Sequence, residues 1–189
     1  MDELDDDTPI SRPLTFEDVK LAVRTAAAAY GSQQFTLVGR GSLAASMPDS
    51  AESLRATIDI DLFPPWKPEQ ALPWAVADTK IGRYSVFQDQ HGFYVERVGE
   101  WTLLNQPHGW EDRALKFEID GVHVVVIHPL DLAYNKLEAG RRKDIDFMRE
   151  GLSSGAYNLA EVESFIREHA PDDATRDLIL ANLTQALCC

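Results

Sequence analysis

Apolar positions along this chain recur with two different periods, and the switch between them divides the sequence. From Thr15 the spacing is helical, with Phe16, Val19, Leu21, Ala22 and Ala26 on one stripe. Thr15 and Asp18 make a capping box at the start of that helix, and Gly31 is a stop signal at its end. A β-rich run at 35–38 then breaks directly into Gly39-Arg40-Gly41-Ser42, and 42–47 predicts a short helix before a loop around Pro48. Residues 57–63 alternate as a strand and stop at Pro64-Pro65. A helix is predicted over 69–78, a strand over 93–98, and a loop over 107–112. The pair 114–119 and 123–127, joined by Asp120-Gly121, reads as a hairpin with a two-residue turn. After His128-Pro129 the period is helical throughout, at about 130–150, 158–169 and 171–187, with Pro171 placed for a helix start.

These elements predict an α/β (α+β) fold with a mixed sheet. Residues 1–12 would form an acidic tail, 13–128 an α/β core, and 129–189 a helical lobe packed on it. The 189-residue length and 44% hydrophobic content suit one core with an appended lobe. No apolar run approaches the roughly 20 residues of a membrane span. The start, with five acids in its first seven residues, is unlike a basic signal peptide, so the expectation is a soluble, cytoplasmic protein that engages no membrane. Cys188 and Cys189 are adjacent at the end and staple nothing. The net charge of −13 leaves no broad basic face, which argues against non-specific DNA or RNA binding by counterion release.

Two features carry chemistry. In the strand 57–63, Asp59 and Asp61 project from one face a few ångströms apart. Such a pair needs a cation or a basic partner, so either it holds a metal ion or one carboxylate meets an arginine such as Arg55. In the helix read over 130–150, Leu130, Ala133, Leu137, Gly140, Asp144 and Met148 share a stripe flanked by Lys136, Arg141 and Lys143. A carboxylate within an apolar stripe requires a partner. Asp144 therefore either orients Lys136 toward a ligand or pairs structurally, with Arg55 a natural candidate. The histidines His91, His108, His123 and His128 show no ligand spacing, and His128 is placed to cap the helix that follows.

A glycine-serine turn after one strand, followed by Asp-x-Asp in the next, resembles the bacterial nucleotidyltransferase-like proteins grouped as domain of unknown function 6036. These are more distantly similar to the AbiEii-type toxin nucleotidyltransferases. The resemblance runs over most of 36–150. It rests on Leu37-Val-Gly-Arg-Gly-Ser-Leu43, Arg55-Ala-Thr-Ile-Asp-Ile-Asp-Leu62, Tyr84-Ser-Val-Phe87, His91-Gly-Phe-Tyr94, and His108-Gly-Trp110 with Arg113. It continues through His128-Pro-Leu-Asp-Leu132 and Lys136-Leu-Glu-Ala-Gly-Arg-Arg-Lys-Asp144. It implies a Mg²⁺-dependent enzyme, with one or two ions, that transfers a nucleotide from a nucleoside triphosphate to an unknown acceptor, RNA or protein, in a toxin-like setting.

By the same resemblance Asp59, Asp61 and Lys136 would be catalytic. Gly39, Gly41, Ser42, Arg55, Arg141 and Lys143 would bind the nucleotide. Asp59 and Asp61 would hold the metal with Glu118 as third carboxylate, on a strand beside 57–63, and Asp120 behind it. Arg40 within the glycine turn, Arg83 where a glutamate is expected, and the lack of an evident third carboxylate depart from the pattern. Arg40 and the missing third carboxylate support the alternative of a catalytically silent binding or regulatory module, such as an antitoxin.

Overall fold

The computed structural model describes residues 12–65 and 71–188; the acidic segment through Ser11, the expected helix start at Glu69, and Cys189 lie outside them. The first helix, α1 (Phe16–Tyr30), begins and ends where the sequence signals it. The Thr15 and Asp18 side chains accept from each other's backbone N–H, and Gly31 closes the helix at φ 65°. Strand β1 (Gln34–Val38) leads into a 3₁₀ turn at 40–42 and then two single-turn helices, α2 (Leu43–Ser46) and α3 (Glu52–Arg55). Strand β2 (Asp59–Phe63) is followed by α4 (Ala71–Ile81), α5 (Val86–His91) and β3 (Tyr94–Arg97). Two further short helices, α6 (Trp101–Leu104) and α7 (Trp110–Arg113), precede the hairpin β4 (Leu115–Ile119) and β5 (Val122–Val126). Its turn has positive φ at both Asp120 and Gly121, as a two-residue hairpin turn demands.

The five strands form one mixed sheet in the order β3-β2-β1-β5-β4. β1 runs parallel to β5 and antiparallel to β2, and β2 runs parallel to β3 through the helical crossover α4–α5. Alternation then assigns the faces. Phe35, Leu37, Ile60, Leu62, Val95, Val124 and Val126 point to one side and are buried with Val19, Val23 and Trp74 in the first core. Val38, on the other face, belongs to a second core built from the C-terminal helices with Leu43, Leu54 and Ile127.

Those helices differ from expectation at one point. The long helix read over 130–150 is two, α8 (Pro129–Ala139) and α9 (Arg142–Ser153), because Gly140 adopts φ 59° and terminates α8. A Cβ there would come 2.5 Å from the Asn182 amide nitrogen, which donates to the Leu137 carbonyl at 2.8 Å. Helices α10 (Leu159–His169) and α11 (Asp173–Leu187) complete the lobe, α11 starting behind an Asp172 N-cap rather than at Pro171. His128 caps α8, its Nδ1 accepting from the Leu130 N–H at 3.2 Å. Arg113 ties the loop before the hairpin to α8: it pairs with the fully buried Asp131 at 2.6 Å and donates to the carbonyls of Pro107 and His108. Among the described residues, no helix is long and apolar enough to cross a membrane.

Candidate active site

Parallel pairing of β2 with β3 sets Glu96 directly opposite Asp61, on the sheet face that also carries Asp59. Ligating oxygens of Asp59, Asp61 and Glu96 all lie within 4.8 Å of one another. Asp59 is oriented by Thr57, whose hydroxyl donates to Oδ1 at 2.6 Å. Asp61 is seated on the glycine turn: a Cβ at Gly39 would lie 1.9 Å from its Oδ2, and Gly39 holds φ 65°. Burial, with Asp59 and Glu96 adding repulsion, pushes the Asp61 carboxyl up to about 8, against the pull of Lys136 and Lys143. Three carboxylates this close favour a shared cation over three separate charges. Their all-oxygen donor set fits a hard divalent ion such as Mg²⁺.

The carboxylates stand in an open cleft of about 780 Å³ whose lining also includes Arg40, Lys136, Arg141 and Lys143. Arg40 reaches in from the glycine turn, its guanidinium donating to the Ala56 carbonyl at 3.0 Å and lying 5.0 Å from the Phe147 ring centroid. Burial lowers its pKa, opposed by Asp144 and Asp59. Lys136 on α8 and Asp144 in the first turn of α9 are brought together by the break at Gly140. They pair at 3.1 Å, and Asp144 takes a second bond from Arg141 at 2.5 Å. Burial would raise the Asp144 carboxyl, but Arg141 and Lys136 outweigh it and hold the group low. Burial also lowers Lys136, with Asp144 opposing and Arg40 and Arg141 reinforcing the shift. Lys136 is thus a desolvated cation whose carboxylate partner Asp144 is shared with Arg141.

Several expected residues lie elsewhere. Glu118 is on β4, separated from β2 by β5 and β1, so at the spacing of neighbouring strands it sits about 14 Å from β2. Its cross-strand neighbour is His123, and Asp120 pairs with Arg24 at the turn. Glu96 takes the place expected of Glu118. The signal for it was present: a carboxylate inside the strand run Tyr94-Val95-Glu96-Arg97-Val98, joined to β2 by one helical crossover of the kind that makes parallel neighbours.

Arg55 does not line the cleft; it donates to the carbonyls of Leu14 and Ser50 rather than to Asp59, Asp61 or Asp144. Gly41 and Ser42 are buried, and the Ser42 hydroxyl donates to the Gly39 carbonyl at 2.7 Å. The room needed at Gly41 is for β2: a Cβ there would meet the Asp59 carbonyl at 3.1 Å. The glycine turn therefore supports the carboxylates from beneath, and the cleft's cations come from Arg40 and the α8–α9 corner on one side and from Arg83 and the Asp78-paired Arg97 on the other.

The family model described as "Nucleotidyltransferase of unknown function (DUF6036)" matches residues 16–183. No curated protein matches the chain. Among solved structures, the chain is similar to an antigenic nucleotidyltransferase-like protein from Paracoccidioides brasiliensis. The identity is 16%, covering 92% of this chain and 90% of that one, with a TM-score of 0.47.

Proposed function

The chain belongs to this family of nucleotidyltransferases of unknown function, and from that premise we propose that it transfers a nucleotide from a nucleoside triphosphate to a hydroxyl-bearing acceptor. An acceptor oxygen forms a bond to the α-phosphorus, the bond from that phosphorus to the pyrophosphate oxygen breaks, and the hydroxyl proton passes to solvent. Asp59, Asp61 and Glu96 would hold Mg²⁺. When bound, the ion supplies charge neutralisation on the phosphates and orients the acceptor oxygen. Arg40, Lys136 and Lys143 face the triphosphate, and Arg141 steadies Asp144 so that Lys136 stays aimed into the cleft. Desolvated cations fixed before the reaction stabilise the charge that develops on the leaving pyrophosphate. RNA or protein remains the acceptor class. The net charge of −13 favours an acceptor recognised locally over one held by a broad basic face.

The observation that carries the reading is the three-carboxylate group within 4.8 Å, in one cleft lined also by Arg40, Lys136, Arg141 and Lys143. It is tested by incubating the protein with RNA and protein fractions and triphosphates labelled at the α- or γ-phosphate. α-Label should enter one fraction only with Mg²⁺ and only with Asp59 and Asp61 intact. Transfer of γ-label instead would refute nucleotide transfer. A silent binding module is favoured by one observation, the commitment of the Ser42 hydroxyl to its own turn. That reading predicts no label transfer with either substrate.

A further inference from the structure

A second cleft, of about 600 Å³, opens beside the first and shares Asp61, Glu96, Lys136 and Arg141 with it. Beyond that shared edge its described lining contains no lysine or arginine, so it is not built for phosphate. Its walls are instead aromatic, aliphatic and amide, with one further carboxylate, Glu138. Trp101, at the start of α6, is 67% exposed although it is an indole. The ring packs beside Gly99, where a Cβ would come within 2.7 Å of Trp101 Nε1, and most of it stays open. The same lining holds a chain of amides. Asn135 on α8 donates to Gln106 Oε1 at 2.7 Å, and Gln106 donates to the Thr102 carbonyl at 3.0 Å.

That chain is incomplete. Asn135 Oδ1 and Thr102 Oγ1 are buried without a hydrogen-bond partner, and both residues line this cleft. Buried polar atoms are nearly always partnered, so two orphans in one wall leave unused hydrogen-bonding capacity beside the cleft. A flat exposed aromatic next to amides, each offering donors and acceptors in a plane, matches a planar heterocycle with a hydrogen-bonding edge.

We propose that this second cleft binds a nucleobase, stacked on Trp101 and read at its edge by Asn105, Gln106 and Asn135. The proposal rests on the reading of the carboxylate cleft as a nucleotide site, which the shared Asp61, Glu96 and Lys136 edge abuts. The base belongs either to the triphosphate itself or to the terminal nucleotide of a single-stranded RNA acceptor.

Uncharged nucleosides test the cleft without engaging the carboxylates. The full chain is titrated with adenosine, guanosine, cytidine and uridine in the absence of metal, following tryptophan fluorescence and heat. At least one nucleoside should bind saturably, and Trp101→Leu, a change at an exposed position, should weaken it about tenfold or more. Absence of binding by all four, or equal binding by Trp101→Leu with an unchanged circular dichroism spectrum, overturns the proposal. Repeating the titration with saturating Mg²⁺ and triphosphate separates the sources: competition assigns the base of the triphosphate, and simultaneous binding assigns the acceptor. Nucleoside binding without Mg²⁺–triphosphate binding would sink the transfer reading and keep the base cleft. Mg²⁺–triphosphate binding with no nucleoside binding would do the reverse.

Discussion

Asp61→Asn preserves the shape of the side chain against Gly39 while removing one of three crowded charges. With oxygens within 4.8 Å and an effective dielectric near 20, each carboxylate pair repels by roughly 3 kcal/mol. Lys136 and Lys143 offset part of this and partial protonation relieves more, so the variant should be more stable than the wild type by about 2 kcal/mol at neutral pH without metal. The pH dependence has a definite sign. Burial, Asp59 and Glu96 raise the folded carboxyl from 3.8 toward about 8, so between those values the folded state keeps a proton that the unfolded state has lost. Wild-type stability then falls as pH rises through that window, by at most about 1.4 kcal/mol per unit, and the variant lacks this contribution. Urea denaturation across the window, in chelator and again in Mg²⁺, measures both. Mg²⁺ should restore the wild type and leave Asp61→Asn nearly unmoved. A variant less stable than the wild type at every pH, or an equal Mg²⁺ effect on both, would show that Asp61 is a structural partner and would refute the electrostatic reasoning.

Gly39→Ala introduces a Cβ 1.9 Å from Asp61 Oδ2 at a residue with φ 65°; it should cost about 1–3 kcal/mol in urea denaturation and weaken Mg²⁺ binding measured by calorimetry. Lys136→Met should lower triphosphate affinity about tenfold or more while Asp144 keeps Arg141, giving a modest fall in thermal midpoint. A variant that unfolds outright would instead make Lys136 structural. Arg113→Ala leaves Asp131 buried without its cation, and denaturation should show a loss of about 3 kcal/mol or more.

Much of the fold was legible because its signals are local. The Thr15–Asp18 box, the Asp120-Gly121 turn and the β2 alternation each act within a few residues, and each stands in the structure where the sequence puts it. Asp59 and Asp61 share a face because strand geometry leaves no other option. What was not legible depends on pairing between distant segments. Choosing Glu96 over Glu118 required weighing which strand neighbours β2, a choice made by the crossover α4–α5 and the parallel β1–β5 pair rather than by any residue near the carboxylates. The stripe that put Lys136 and Asp144 together assumed one straight helix; they meet because Gly140 turns the chain. Arg55 looked like a partner for the nearby carboxylates by proximity in sequence, yet the carbonyls of Leu14 and Ser50 claim it.

The central claim, a metal-dependent nucleotide site on Asp59, Asp61 and Glu96, meets its most direct test in calorimetric titration of the four nucleoside triphosphates, with and without Mg²⁺. Wild type, Glu96→Gln and Glu118→Gln would be compared. Mg²⁺-dependent binding of at least one triphosphate by the wild type is expected, retained in Glu118→Gln and reduced about tenfold or more in Glu96→Gln. Binding that is independent of Mg²⁺, or that survives in Glu96→Gln and fails in Glu118→Gln, would contradict it.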